Sequence, residues 1–321
     1  MADENPVRQT TLEVLKKASE VRINKEKVEE LAARWNQEGL PVAWWDCAKH
    51  FQSENEEQLL TYLILLDSLN FCFWNHGAEK WAVNLEGRPY SGYFALSLSL
   101  KEFFEKNPDK ANLHYFEEVS FKEFSRILQW GKNLLYLEER WQIARRVSCH
   151  ILKKYGSARN FILSSDQKLS VLIPKIAMEL FSFSDHFWHN GQRIYFWKRA
   201  QILAMDIYGA FAGRGLGYFK DLDYPTAFPD YKLPQILNHY GIMEYSPALE
   251  ALIKNRCLIY PMSKEEIKIR SATVWAVEYL KEALQKYGGQ YHSFELDWIL
   301  WEKSQKAKMN LPHHRTETIF Y

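Results

Sequence analysis

A chain of 321 residues is long enough to bury a sizeable core, and its 41 Lys and Arg against 40 Asp and Glu leave a formal net charge of +1. Proteins that grip a polynucleotide backbone carry a basic excess to replace condensed counterions, so this balance argues against a nucleic-acid partner while leaving room for a local phosphate pocket. Aromatics make up 15% of residues, with 12 Trp, more than a plain helical scaffold needs, and such rings build flat-walled pockets for planar ligands.

The N-terminus, MADENPVRQTT, is polar and acidic, unlike a signal peptide, and no apolar run reaches membrane-spanning length. Cys47, Cys72, Cys149 and Cys257 are far apart and form no CxxC pair, which predicts neither a zinc site nor a disulfide framework. The expectation is a soluble cytoplasmic protein. Thr10 to Glu13 (TTLE) fits a capping box, as do Ser120 to Glu123 (SFKE) and Ser263 to Glu266 (SKEE). Over residues 24–38 apolar positions recur at i, i+3, i+4, with Val28, Leu31, Ala32 and Trp35 on one face and Gly39 closing the helix.

In LLDSLNFCFWN, residues 65–75, Asp67, Asn70 and Trp74 fall on nearly one helical stripe, with Phe71 adjacent. Two readings stay open: polar groups on the edge of a heterocycle with a ring on its face, or a core helix whose polar residues pair internally. Either way a carboxylate in so apolar a run needs a partner. WAVNLEGRPYSGY alternates and turns at Glu86 and Gly87, predicting a small β-hairpin around residues 80–93. Helical periodicity returns over 137–155, 168–182, 195–212 and 263–287, the last followed by Gly288. His186 and His189, three apart, have no companion ligand set, so no metal site is expected. Within 195–211, Lys198, Gln201, Met205 and Tyr208 share one helical sector. A lysine among aromatics can meet a ligand phosphate, but spacing alone favours a surface lysine with its ammonium in water. GRGLG, residues 213–217, follows a helix rather than a strand and is neither a dinucleotide fingerprint nor a P-loop.

FPDYKLPQIL, residues 228–237, sets Asp230 between two prolines. Pro234 suits a first helical turn, which puts the N-cap at Leu233; Gly241 ends that helix, and Ser246–Pro247 open another. The pattern is compatible with a helix-hairpin-helix, although the second glycine of DNA-binding versions is absent. Asp230 then lies three residues too early to be the cap, the common use of Asp before a helix, and is left able to face a ligand. Pro229 and Pro234 stiffen the loop. The tail, PHHRTETIFY, carries His313, His314 and Arg315 before an aromatic pair, and an aromatic-rich end is expected to pack back and deliver a cation to an anionic ligand rather than fray. The chain reads as one mostly α domain over residues 1–321 with a small β insertion.

Eight blocks in order resemble the queuosine salvage proteins, which are queuosine 5′-phosphate N-glycosylases: LDSLNFCFW, YSGYF (90–94), LEER (137–140), FWKRAQIL, FPDYKLPQIL, IRSATVW (269–275), LDWILWE (296–302) and HHRTETIFY. The first sixty or so residues resemble the family only loosely. The resemblance implies a helical fold like that of helix-hairpin-helix DNA glycosylases, acting on a mononucleotide: hydrolysis of the bond between ribose 5′-phosphate and a 7-deazaguanine base, releasing queuine for reuse in tRNA modification, with no metal or organic cofactor. It puts the catalytic aspartate at Asp230 and the active-site lysine at Lys198, and it associates Asp67 and Phe71 with the nucleotide pocket. Asn70, Trp74, Tyr231, His314 and Arg315 complete the expected substrate contacts; no stable nucleic-acid partner and no membrane are implied. Two rival readings are a helix-hairpin-helix nucleic-acid-binding protein or DNA glycosylase, and a non-catalytic helical interaction protein.

Overall fold

The computed structural model describes residues 5–42, 45–77, 79–85 and 87–321. Helix α1 (Pro6–Leu15) starts before the TTLE box, because Asn5 and Pro6 make a better beginning: Asn5 Oδ1 accepts from the Val7 amide at 2.9 Å and Pro6 holds the first helical position. Thr10 therefore lies inside the helix and donates its hydroxyl to Pro6 O. Strand β1 (Val21–Ile23) leads into α2 (Lys25–Glu38), capped by Asn24 and ended by Gly39. After α3 (Glu56–Leu69), strands β2 (Ala82–Leu85) and β3 (Arg88–Ser91) form the expected hairpin; Glu86 of its turn lies outside the described residues. Then come α4 (Tyr93–Lys106), α5 (Leu113–Glu118), α6 (Phe121–Ile127), α7 (Leu137–Tyr155), α8 (Ala158–Leu163) and α9 (Leu169–Glu179), with both hydrogen bonds of the Ser120–Glu123 capping box formed.

A second hairpin, β4 (His186–His189) with β5 (Gln192–Tyr195), takes the first residue of the predicted 195–212 helix. Its turn residues Asn190 and Gly191 have φ of 49° and 76°, the positive pair a type I′ turn requires. His186 and His189 thus stand on a strand at odd separation and point to opposite faces. The chain continues as α10 (Lys198–Ala210), α11 (Lys232–His239), β6 (Met243–Tyr245), α12 (Pro247–Lys254), α13 (Lys264–Gln285) and α14 (Ser293–Lys306). Ser246 and Ser263 cap α12 and α13 as expected.

The fold is mainly helical: fourteen α-helices and three two-stranded antiparallel sheets among the described residues. None of these helices is long and apolar enough to cross a membrane. The larger of two main apolar clusters surrounds α3, where every residue from Leu59 to Leu69 is buried. The other joins α2, with its predicted face of Val28, Leu31, Ala32 and Trp35, to α11, α13 and α14, and β1 pairs with β6 at its side. Where α3, α10, α11 and α14 approach one another a cavity opens.

Candidate active site

The loop from Thr226 to Asp230 is held from three helices. Gln201 of α10 accepts from the Thr226 amide at 2.7 Å, Asp297 of α14 accepts from the Phe228 amide at 2.6 Å, and Arg270 of α13 donates through Nε to Pro229 O at 2.9 Å. Asp230 Oδ1 accepts from the amides of Lys232 and Leu233 at 2.6 and 2.9 Å. This corrects the helix start expected at Pro234. The carboxylate caps amides that α11 leaves unpaired, the helix begins at Lys232, and Pro234 still sits in the first turn, where its missing N–H costs nothing. Capping occupies Oδ1 alone, so the aspartate serves the helix and lines the cavity at once.

Lys198 opens α10 immediately after Trp197, a non-glycine residue in the left-handed region (φ 50°, ψ 34°). Asp185 imposes that turn: its backbone carbonyl accepts from the amides of Phe196 and Trp197, and its Oδ2 from the Lys198 amide at 3.1 Å. Asp185 is itself gripped by Arg270 in a fully buried bidentate pair. Lys198 is only 4% exposed, which overturns the surface reading that spacing favoured; Nζ lies 3.4 Å from Asn70 O. The end of α3 is fixed likewise: Arg199 donates to the carbonyls of Asp67, Ser68 and Ser182, and Arg140 to that of Phe71 while covering its ring.

These groups surround a cavity of about 590 Å³, a size suited to a mononucleotide. Its two ends differ. At one end Trp45, His50, Tyr93, Phe94, Trp298 and Trp301 provide flat walls, with Lys49 set over the Phe94 ring; Trp45 stacks on His50, whose Nε2 meets the Tyr93 hydroxyl at 2.8 Å. At the other end Lys80 and Lys232 stand with Tyr231, Trp74 and His313, whose ring lies against that of Tyr231. Asp230, Lys198, Asp206 and Asp297 also line the space.

Four carboxyls crowd one ammonium. Burial lowers the Lys198 pKa, and Asp230 is the strongest of the charges that hold it up. Burial pushes Asp206 and Asp297 well above the usual carboxylate range, with the charge of Asp67 adding to the first and that of Asp230 to the second. Burial pulls His313 down to about 4, and Lys232, Arg315 and Lys80 push the same way, so its ring is neutral at pH 7.

Of the residues expected from sequence, Asp230, Lys198, Asn70, Phe71, Trp74 and Tyr231 come together around the cavity. Asp67 does not line it: fully buried on α3, it lies behind the wall, with Asn70 Nδ2 donating to its Oδ1 at 3.5 Å. His314 is buried beside Tyr321 and Arg270 rather than in the cavity. Arg315 bridges to Leu258 through its backbone and lies over the outer side of Trp74. The tail packs back as expected, but it presents His313 and Tyr321 to the cavity. Sequence reasoning passed over Asp206, Asp297, Lys80, Lys232 and the aromatic end. Asp206 carries the same signal that drew attention to Asp67, a lone carboxylate in an apolar helical run.

Residues 49–321 match the model of a protein family described as queuosine salvage protein. Over 314 residues the chain is 36% identical to a Sphaerobacter thermophilus protein named queuosine 5′-phosphate N-glycosylase/hydrolase, covering 97% of this chain and 96% of that one. Proteins of the same name from Dictyostelium discoideum (34% identical, 98% of each chain) and Bos taurus (32%, covering 83% and 82%) are similar too. The chain belongs to the queuosine salvage protein family.

Proposed function

We propose that this chain hydrolyses the N-glycosidic bond of queuosine 5′-monophosphate, releasing queuine and ribose 5-phosphate. The observation that carries this reading is the make-up of the cavity: a fixed carboxylate, Asp230, lines it together with broad aromatic walls and the lysines Lys80 and Lys232, in a chain whose relatives are named for this substrate. The base would lie against Trp45, Trp298 and Trp301, and the phosphate between Lys80 and Lys232, so the anomeric carbon falls over Asp230. Lys232 takes the role that sequence reading gave to Arg315, because it lines the cavity and Arg315 does not.

As the C1′–N9 bond lengthens the sugar becomes oxocarbenium-like, and a carboxylate already fixed beside it stabilises the growing charge without reorganisation. Asp230 suits this because two amides hold Oδ1 and the loop carrying it is tied to α10, α13 and α14. Oδ2 orients the attacking water and takes its proton. Lys198 places its ammonium among these carboxyls, and Asp230 is the strongest of the charges that hold its proton there.

A likeness to helix-hairpin-helix DNA glycosylases is part of the same reading. It is supported by α11 and α12 on either side of Gly241 (φ 74°), with β6 between them, and the near-zero net charge favours a single nucleotide over a polynucleotide. The whole chain acts as one catalytic unit, and its four free thiols fit the reducing cytoplasm. The test is chromatography after incubation with queuosine 5′-phosphate: free queuine and ribose 5-phosphate are expected, at a much lower rate with the free nucleoside. No base release, or a salt-dependent shift of duplex DNA without it, rejects the reading.

A further inference from the structure

A departing base must take up the electron pair of the C1′–N9 bond, and a 7-deazaguanine has no N7 at which a proton can relieve that charge. Building on the function proposed above, we propose that Asp206 hands a proton to the leaving base, with Asp67 behind it as a positioning residue. Asp206 lines the cavity, is 6% exposed, and its Oδ2 is buried without a hydrogen-bond partner among the described residues. An unpaired polar atom in a wall costs free energy until a ligand meets it. Asp206 lies eight residues beyond Lys198 on α10, about 12 Å along the axis. Their backbone positions are therefore spaced on the scale of a nucleoside, which lets Lys198 serve the sugar and Asp206 the base. Tyr93, which feels the Asp206 charge, belongs to the aromatic end.

The charge state fits a donor. The groups facing Asp206 are Asp67 and Tyr62 from α3, Tyr93 from α4 and Lys198 from its own helix. Burial pushes both tyrosines well up, so they are neutral and Lys198 is the cation of the set. Asp67, with its own Oδ2 unpartnered, is pushed by burial to about 7, against the pull of Lys198 and Asn70. Burial first and then the charge of Asp67 favour the protonated form of Asp206, against the pull of Lys198. A protonated carboxyl offers one donor and one acceptor, which match the ring nitrogen N3 and the adjacent 2-amino group of the base.

In the step, the Asp206 O–H bond breaks and an N–H bond forms on the base as the C1′–N9 pair drains into the ring. Water bonds to C1′ and gives its proton to Asp230. Solvent then reprotonates Asp206 and takes the proton from Asp230, so one water is consumed per turnover.

The experiment compares queuosine 5′-phosphate with 4-nitrophenyl ribofuranoside 5-phosphate, whose phenolate leaves without a proton. Asp206→Asn is expected to lower kcat about 100-fold on the first while staying within about threefold of wild type on the second. Wild-type kcat falls as pH rises through the raised pKa of Asp206, and Asp67→Asn, by removing the charge behind it, moves that alkaline limb to lower pH. An equal loss on both substrates, a loss under about threefold on the nucleotide, or an unmoved limb in Asp67→Asn overturns the proposal. If Asp206→Asn fails to fold, the Asp67→Asn limb decides. Wild type that releases no base rejects the function itself, whereas active wild type with an unimpaired Asp206→Asn rejects only this role.

Discussion

Asp185 and Arg270 form a bidentate pair in full burial, Nη1 to Oδ1 at 2.9 Å and Nη2 to Oδ2 at 2.6 Å, and each also holds the backbone beside a different candidate catalytic group. Asp185 Oδ2 accepts from the Lys198 amide; Arg270 Nε donates to Pro229 O, one residue before Asp230. One ion pair thereby sets the separation of Asp230 from Lys198. Burial opposes the charge on Arg270, but Asp185 and Glu266 more than offset it and raise its pKa.

Arg270→Met leaves Asp185 and Glu266 buried without their cation and is expected to cost about 3–5 kcal/mol, read as a lower urea midpoint. Arg270→Lys keeps the charge but loses the fork, so a folded chain with kcat reduced about tenfold or more is expected. Unchanged kcat in the lysine variant would show that the pair is structural only.

Asp230→Asn keeps an oxygen to cap Lys232 and Leu233, so stability should change by less than about 1 kcal/mol. It loses the charge that faces the sugar, and kcat is expected to fall at least about 1,000-fold. Nucleotide should still raise the melting temperature of the variant. Turnover near the wild-type rate would sink the role given to this residue.

Lys232→Ala removes one side of the cationic end. KM for the 5′-monophosphate is expected to rise about tenfold or more, while kcat/KM for the free nucleoside stays unchanged. The same loss on both substrates would mean that Lys232 does not meet the phosphate.

His314, 2% exposed, is pulled by burial down to about 3, and His50 to about 4. The unfolded chain takes up these protons near the ordinary value of 6.5, and the native chain does not. The neutral rings therefore contribute stability that is complete above pH 6.5 and is lost as pH falls toward the folded values. His314→Gln should flatten the dependence of melting temperature on pH between about 7 and 5. Parallel curves for the two proteins would reject the assignment.

Much of the helical order was legible because it rests on local physics: the α2 face, the Ser120–Glu123 box and the Ser246–Pro247 start all stand where spacing put them. The β4–β5 hairpin was legible and missed; Asn190–Gly191 is a strong short-range turn signal, but a helical period running through Tyr195 overrode it. The start of α11 misled because proline position was read without asking which side chain would cap the free amides, and that side chain was Asp230 itself. Lys198 looked like a surface residue because nothing local reveals that Asp185, thirteen positions earlier, turns it inward. Asp297 and Arg270 reach the Asp230 loop from 69 and 41 positions away, beyond any spacing rule.

Strand β1 meets β6 across the chain, with Arg22 Nε donating to Glu244 Oε2 over 222 positions. The α3-centred cluster is built almost wholly from residues between Phe51 and Phe228, whereas the other needs α2 and the segment beyond Ala227 together. Closing so long a loop adds little to the equilibrium cost but slows the search, so the second cluster should consolidate late in folding. Arg270 and Asp297, which hold the Asp230 loop, belong to that late half. A refolding chain is thus expected to regain most of its helical circular dichroism before it regains turnover, and simultaneous recovery of the two signals would contradict this order.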